Sequence, residues 1–203
     1  MSTAFDAPSR ELLDSVDHRV VLHGLSWADY KRLLAIRGRG AGVRMTYLEG
    51  DLELMSPSRQ HEGITSAIGR LVETYAEVRD LDLNSFGSWT IRSKPRERGV
   101  EPDKCYILGS PGEKRKPDLA IEVEWTRCLV DKLEVYRGLG VGEVWIWRRG
   151  RIEVYLLRGG RYELAEKSGL FPKLNLEELV RHLDYPSQTQ AVRAFRAWLG
   201  RRR

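Results

Sequence analysis

The chain has 203 residues, 41% hydrophobic and 31% charged, the size and balance of one globular domain with a small terminal appendage, which excludes disorder over most of its length. No apolar run approaches the roughly 20 residues that span a bilayer, residues 1–10 lack the basic start and apolar core of a secretory signal, and Cys105 and Cys128 are too few for a disulfide framework. A reducing cytoplasm is therefore expected. The formal net charge is +5, yet residues 188–203 hold Arg193, Arg196, Arg201, Arg202 and Arg203 and no acid, so residues 1–187 are neutral and charge points only weakly to a polyanion partner.

Residues 1–24 read as an N-terminal extension, 25–170 as the main domain and 171–203 as a helical, basic appendage. Ser26 and Asp29 make a capping-box start for a helix to about residue 37, stopped by the glycines of 38–42. A hairpin follows, with strands 43–48 and 51–55 around Glu49-Gly50. Ser56-Pro57-Ser58 then caps a long helix over 59–79, in which Ile64, Ala67, Ile68, Leu71, Val72, Tyr75 and Val78 share one arc. One or two strands are expected in 84–94 and others at 104–108, 119–124 and 143–147, the last two separated by a short helix over 129–139. A hairpin of 151–157 and 162–164 turns through Arg158-Gly159-Gly160, and helices near 176–182 and 188–199 end the chain. The expected fold class is α/β (α+β), a mixed β-sheet flanked by helices.

Glu122 interrupts a largely apolar strand. An ionised carboxylate there demands a metal, a cation or several donors, because burial of an isolated charge is costly. Upstream, Glu101-Pro102-Asp103 precedes the short strand 104–108, and the 109–116 connection is of a length that pairs the two strands as a hairpin, placing Asp103 across from Glu122. Two converging carboxylates are oxygen ligands suited to Mg²⁺. On a helical wheel with Leu129 at the origin, Lys132 falls at about 300°, on the side of Leu133, Tyr136 and Leu139, with Asp131, Glu134 and Arg137 elsewhere. It is thus a cation aimed at the paired acids, able to orient or deprotonate a water or to stabilise charge on a phosphate. On the long helix His61 lies about 60° from Ile64, inside the apolar arc, and Glu62 about 160° away, outside it, so His61 is the nearer neighbour of a site. Arg92, Lys94, Arg96, Arg98, Lys114, Arg115 and Lys116 flank the hairpin as candidate phosphate contacts. The six tryptophans read as core or interface rather than base-stacking platforms, and no dinucleotide, Walker or zinc spacing occurs.

In order along the chain stand Met55-Ser56-Pro57-Ser58 with His61, then Val100-Glu101-Pro102-Asp103, then Pro117-Asp118-Leu119-Ala120-Ile121-Glu122-Val123. Lys132-Leu133-Glu134-Val135-Tyr136 and Gly140-Val141-Gly142-Glu143-Val144-Trp145 follow. On these motifs, over about residues 25–164, the sequence resembles the Uma-type restriction endonuclease family of the PD-(D/E)XK nuclease superfamily. The resemblance implies a restriction-endonuclease-like core, endonucleolytic hydrolysis of phosphodiester bonds in DNA with Mg²⁺ (or Mn²⁺), and a homodimer. It also implies a metal site at Asp103 and Glu122, with Lys132 and His61 as further catalytic residues and Glu101, Asp118 and Glu124 as supporting ones. The departure is Glu124, which stands where the superfamily places a lysine, so that Lys132 would be its migrated replacement. Two other readings share these residues: a catalytically inactive nucleic-acid-binding or assembly module of the same fold, and a metal-dependent phosphoesterase acting on small substrates or RNA.

Overall fold

The computed structural model describes residues 16–38, 42–87, 89–125 and 128–201. Residues 1–15 of the expected extension, 39–41 of the expected helix stop, and Arg202 and Arg203 of the basic tail lie outside them. Strand β1 (His18–Leu22) opens the described chain. Helix α1 (Trp27–Arg37) starts at the capping box, where Asp29 N–H donates to Ser26 Oγ at 3.3 Å and Ser26 N–H donates to Asp29 Oδ2 at 3.1 Å. Strands β2 (Arg44–Leu48) and β3 (Asp51–Ser56) turn through Glu49-Gly50, both at positive φ, as the primed hairpin turns require. Ser58 caps α2 (Arg59–Val78). Strands β4 (Leu83–Phe86), β5 (Ile91–Ser93), β6 (Arg98–Val100), β7 (Lys104–Leu108) and β8 (Leu119–Val123) follow, then α3 (Lys132–Leu139). Strands β9 (Glu143–Arg148), β10 (Arg151–Arg158) and β11 (Arg161–Ala165) and helices α4 (Leu176–Arg181) and α5 (Gln188–Gly200) complete the order.

The strands divide into two sheets. One is antiparallel in the order β1-β3-β2-β6-β5. The other is the expected mixed sheet, β11-β10-β9-β8-β7-β4, in which only β8 and β9 run parallel, joined by the α3 crossover. The β2-β3 hairpin therefore belongs to a sheet of its own, and the 84–94 segment is shared, with β4 in the mixed sheet and β5 in the other. Strands β1 and β6 were not foreseen. Each is short, and tertiary pairing rather than a hydrophobic pattern makes it a strand: β1 pairs with β3, and β6 with the preceding β5 and with β2.

Both faces of the mixed sheet are covered. Ile68, Leu71, Val72 and Tyr75 of α2 pack on Leu119, Ile121 and Val123 of β8, together with Leu179 of α4 and Phe195 and Leu199 of α5. The helices expected as an appendage thus share the main core. On the opposite face Val135 and Tyr136 of α3 meet Ala120, Val144 and Ile146, and alternation along β8 turns Glu122 to this side. Helix α3 begins three residues later than expected, because Asp131 is its N-cap, accepting the Glu134 N–H at 3.1 Å. Leu129, read as inward, is consequently 61% exposed. Among the described residues no helix is long and apolar enough to cross a membrane.

The third cluster joins α1 to the antiparallel sheet, where the buried Tyr30 ring stacks on Tyr47 with centroids 4.8 Å apart at 10°. Tyr30 lies over Gly99, where a β-carbon would sit 2.2 Å from the hydroxyl oxygen, so only glycine admits the ring. That hydroxyl is buried without a hydrogen-bond partner among the described residues. Removing an unsatisfied buried hydroxyl relieves its desolvation cost, so Tyr30→Phe is expected to be neutral or stabilising by up to about 1 kcal/mol in urea unfolding. A loss of stability would show that the hydroxyl has a partner.

Candidate active site

Asp103 sits just before β7. The antiparallel register pairs Lys104 with Ile121, so the next pair outward sets Asp103 opposite Glu122. The Val123 N–H donates to Asp103 Oδ2 at 2.7 Å, fixing the carboxylate where a backbone acceptor would otherwise continue the ladder. Both acids are buried, and each is met by cations from different elements.

Glu122 faces α3. Lys132 and Tyr136, one turn apart on its inward side, donate to the two carboxylate oxygens, Lys132 Nζ at 2.5 Å to Oε2 and the Tyr136 hydroxyl to Oε1. Burial and the neighbouring Asp103 charge push the Glu122 pKa up, opposed by Lys132 and Tyr136. Burial works against the Lys132 charge, but the Glu122 and Asp103 carboxylates outweigh it and hold the ammonium protonated. Burial raises the Tyr136 hydroxyl pKa as well, so that group stays a donor.

Asp103 is approached from the other side by α2 and β2. The Ser58 cap accepts the His61 N–H at 3.2 Å and so sets the first turn, from which His61 reaches between two acids. Its Nε2 lies 3.0 Å from Asp103 Oδ2 and its Nδ1 3.1 Å from Asp17 Oδ2. Burial alone would lower the His61 pKa, but the bonds to Asp103 and Asp17 win and raise it to about 9, even though Arg44 Nη1 also lies 3.1 Å from Nε2. Asp17, itself buried, is held well below the usual carboxylate range, because the His61 and Ser58 bonds and the His61 and Arg19 charges overcome desolvation. Asp103 is likewise depressed despite its burial, by Lys132, His61 and Arg44.

Arg44 completes the ring of charges. Its Nη1 donates to Asp103 Oδ1 and its Nη2 to Glu62 Oε1 at 2.7 Å. Arg19 extends the network outward, from Asp17 at 3.3 Å to Glu53 at 2.6 Å, and Glu53 accepts the Leu129 N–H ahead of α3 at 2.8 Å. The cluster thereby ties both sheets, α2 and the α3 entry together.

Asp103, Glu122, Lys132 and His61 are brought together, with Glu62 attached through Arg44. The three residues named as supports lie elsewhere. Glu101 clamps the antiparallel sheet, accepting two bonds from Arg37 at 2.5 and 2.6 Å, one from the Met45 N–H at 3.1 Å and one from Thr90 Oγ1 at 2.8 Å. Asp118 closes the β7-β8 connection, with the Leu108 N–H at 2.9 Å and Lys114 at 2.7 Å. Glu124 pairs with Arg148 at 2.7 Å beside a neighbouring cleft. Several of the candidate phosphate contacts hold the fold: Arg98 pairs with Glu49 at 2.9 Å and Glu134 at 2.7 Å, Arg96 donates to Gly138 O, and Lys116 to Gly140 O. Asp17, Arg44 and Tyr136 were not foreseen as members of the cluster.

Buried acids are not all alike. Glu143, also in an apolar strand, accepts from Trp145 Nε1 at 2.5 Å, Ser168 Oγ at 2.6 Å and the Gly169 and Leu170 N–H groups at 3.0 Å, and so fastens a loop to β9. Glu122 differs in answering to a lysine and in facing a second buried carboxylate.

Comparison with known families decides the relationship. The Uma2 model, described as "Putative restriction endonuclease", matches residues 27–188. The chain belongs to the Uma2 family. The match spans every residue of the Uma2 chain's charge cluster except Asp17 and Arg19. Among curated proteins none matches. A solved structure from Anabaena variabilis ATCC 29413, described as "a putative nuclease belonging to DUF820", is similar at 15% identity over 68% of this chain and 90% of that one, with a TM-score of 0.47.

Proposed function

We propose that the chain is an endonuclease that hydrolyses phosphodiester bonds in DNA with Mg²⁺ or Mn²⁺. One observation carries this: two buried carboxylates, Asp103 and Glu122, face each other across β7 and β8 with a lysine on one and a histidine on the other.

Among the described residues no three His, Cys, Asp or Glu side chains form a ready-made metal cage. Mg²⁺ does not ask for one, since one or two carboxylates, waters and a substrate phosphate satisfy it. Asp103 and Glu122 are donors of that kind and would hold the ion, which when bound supplies charge neutralisation at the phosphate and an acidified water. Arg44 then has to release Asp103. Its side chain is 17% exposed and already touches Glu62, 50% exposed, which is an acceptor for it after such a move. Lys132 keeps a positive charge at the floor of the site, where it stabilises negative charge on phosphate oxygens. His61 is a positioning residue: its Nε2 sits between Asp103 and Arg44 while Asp17 fixes the ring from Nδ1.

A second reading, the non-catalytic module, is favoured by the saturation of the acids. Each oxygen of Asp103 and Glu122 already accepts a bond from the protein, and Glu124 takes the superfamily's lysine position. Plasmid DNA incubated with increasing Mg²⁺ or Mn²⁺ separates the two. Metal-dependent nicking, absent in Glu122→Gln, is the expected result; binding with no cleavage in either metal would sink the enzyme in favour of the module. RNA and nucleotide substrates run in parallel test the small-substrate phosphoesterase.

A further inference from the structure

A cleft of about 880 Å³ opens beside the charge cluster, at the carboxyl ends of the parallel strands β8 and β9, where open sheets with parallel strands generally take ligands. Lys132 and Ile146 line it, and Lys132 is the same side chain that bonds Glu122, so the cleft and the cluster share a wall. Trp125, two residues past the end of β8, stands at its edge. The indole is 41% exposed and stacks on Trp147, centroids 6.0 Å apart at 10°. Trp147 belongs to the core, so the plane of the outer ring is fixed from below. An exposed aromatic plane at the mouth of a polar cleft is a stacking surface.

The cations around it are not equivalent. Arg148 is held by Glu124 at 2.7 Å and Glu153 at 3.4 Å, and Arg151 by Glu153 at 2.6 Å. Arg149 sits at the tip of the β9-β10 turn, where Arg149 and Gly150 both have positive φ. Among the described residues no carboxylate lies within ion-pair distance of it. It lines the same cleft.

We propose that this cleft takes an unpaired nucleotide adjoining the phosphodiester at Lys132, with its base stacked on Trp125 and its outer phosphate on Arg149. The proposal rests on the nuclease reading and narrows it, since a base can offer its face to an indole only outside a duplex stack. Substrates with a single-stranded stretch at the site are then preferred over continuous duplex.

Binding of a short fluorescein-labelled single-stranded oligodeoxynucleotide, followed by anisotropy in EDTA so that nothing is cleaved, tests it. Trp125→Leu is expected to weaken binding by about tenfold or more, the scale of one base-aromatic stack, while Trp125→Phe keeps most of the affinity. Arg149→Ala is expected to lower the slope of log K against log salt by about 0.7, one phosphate contact on a single strand. The corresponding duplex should bind more weakly and ignore Trp125→Leu. Undiminished single-strand binding by Trp125→Leu, or a preference for duplex, overturns the proposal; if plasmid cleavage still depends on Glu122, the nuclease reading survives that result. A wild-type chain that binds no strand of either kind also overturns the proposal, and plasmid cleavage in Mg²⁺ or Mn²⁺ then decides the nuclease reading on its own.

Discussion

Lys132→Met is expected to cost about 3–5 kcal/mol of folding stability at pH 8, the range measured when one partner of a buried pair is removed. Methionine keeps the length and apolar stem of lysine, so little packing is lost. What remains is Glu122, buried, with only Tyr136 donating to it and with Asp103 opposite. The carboxyl escapes the penalty by taking up a proton, and this gives the prediction its second half. Burial and Asp103 already place the Glu122 pKa above its ordinary 4.5, and loss of Lys132 raises it further. A folded pKa above the unfolded one means that the native state binds the extra proton, so stability falls as pH rises between the two values. The deficit of the variant should therefore be small near pH 5 and largest at pH 8. Glu122→Gln combined with Lys132→Met leaves no orphan charge and should recover much of the loss and flatten its pH dependence. Urea unfolding at several pH values reads all three proteins. A deficit below about 1 kcal/mol, the level of a solvated surface pair, would mean that the pair is not held in a dry interior.

The part of this site that was legible in the sequence is the part written in local patterns. The length of the connection after Leu108 put Asp103 opposite Glu122, and the helical period turned Lys132 inward, because strand pairing across a short loop and a 3.6-residue repeat are local consequences of chain geometry. The wheel used Leu129 as its origin, which the structure places outside the helix; Asp131 with Glu134 at the third helical position was the truer start, and that signature was present in the sequence. Asp17 and Arg44 were not legible. Asp17 precedes an edge strand whose partner lies more than thirty residues on, and Arg44 opens β2 in a different sheet from Asp103. Their convergence depends on how two sheets meet, which no window of sequence contains. Tyr136 was read by its ring, which does pack in the core, and not by its hydroxyl; its place four residues after Lys132 was the available signal. The apolar-strand rule picked out an acid in need of partners, but Glu143 obeys the same rule and fastens a loop, so the pattern alone does not distinguish a site from a clamp.

His61 supplies the other large effect. In metal-free protein, the wild type is expected to be more stable than His61→Gln by roughly 3 kcal/mol near pH 6, with the two converging above pH 9. The folded pKa of His61 is raised from 6.5 to about 9 by the Asp103 and Asp17 carboxylates, against the opposing effect of burial. The contribution of such a group is complete below the unfolded value and is lost as pH climbs through the folded one. Asp17 and Asp103 carry the opposite sign: both are depressed from 3.8, so their contributions are present above that value and disappear only as acid reaches their folded pKa values. Glu122, raised like His61, also loses stability with rising pH, which is why the difference between wild type and variant, rather than either curve, isolates the histidine. Glutamine can still donate one bond toward Asp103 but carries no charge, so the two acids keep Arg19 and Arg44 and lose the cation between them. Parallel stability curves for the two proteins from pH 6 to 9.5 would mean that His61 is neutral in the fold, and that Asp103 is held by Arg44 and Lys132 without it.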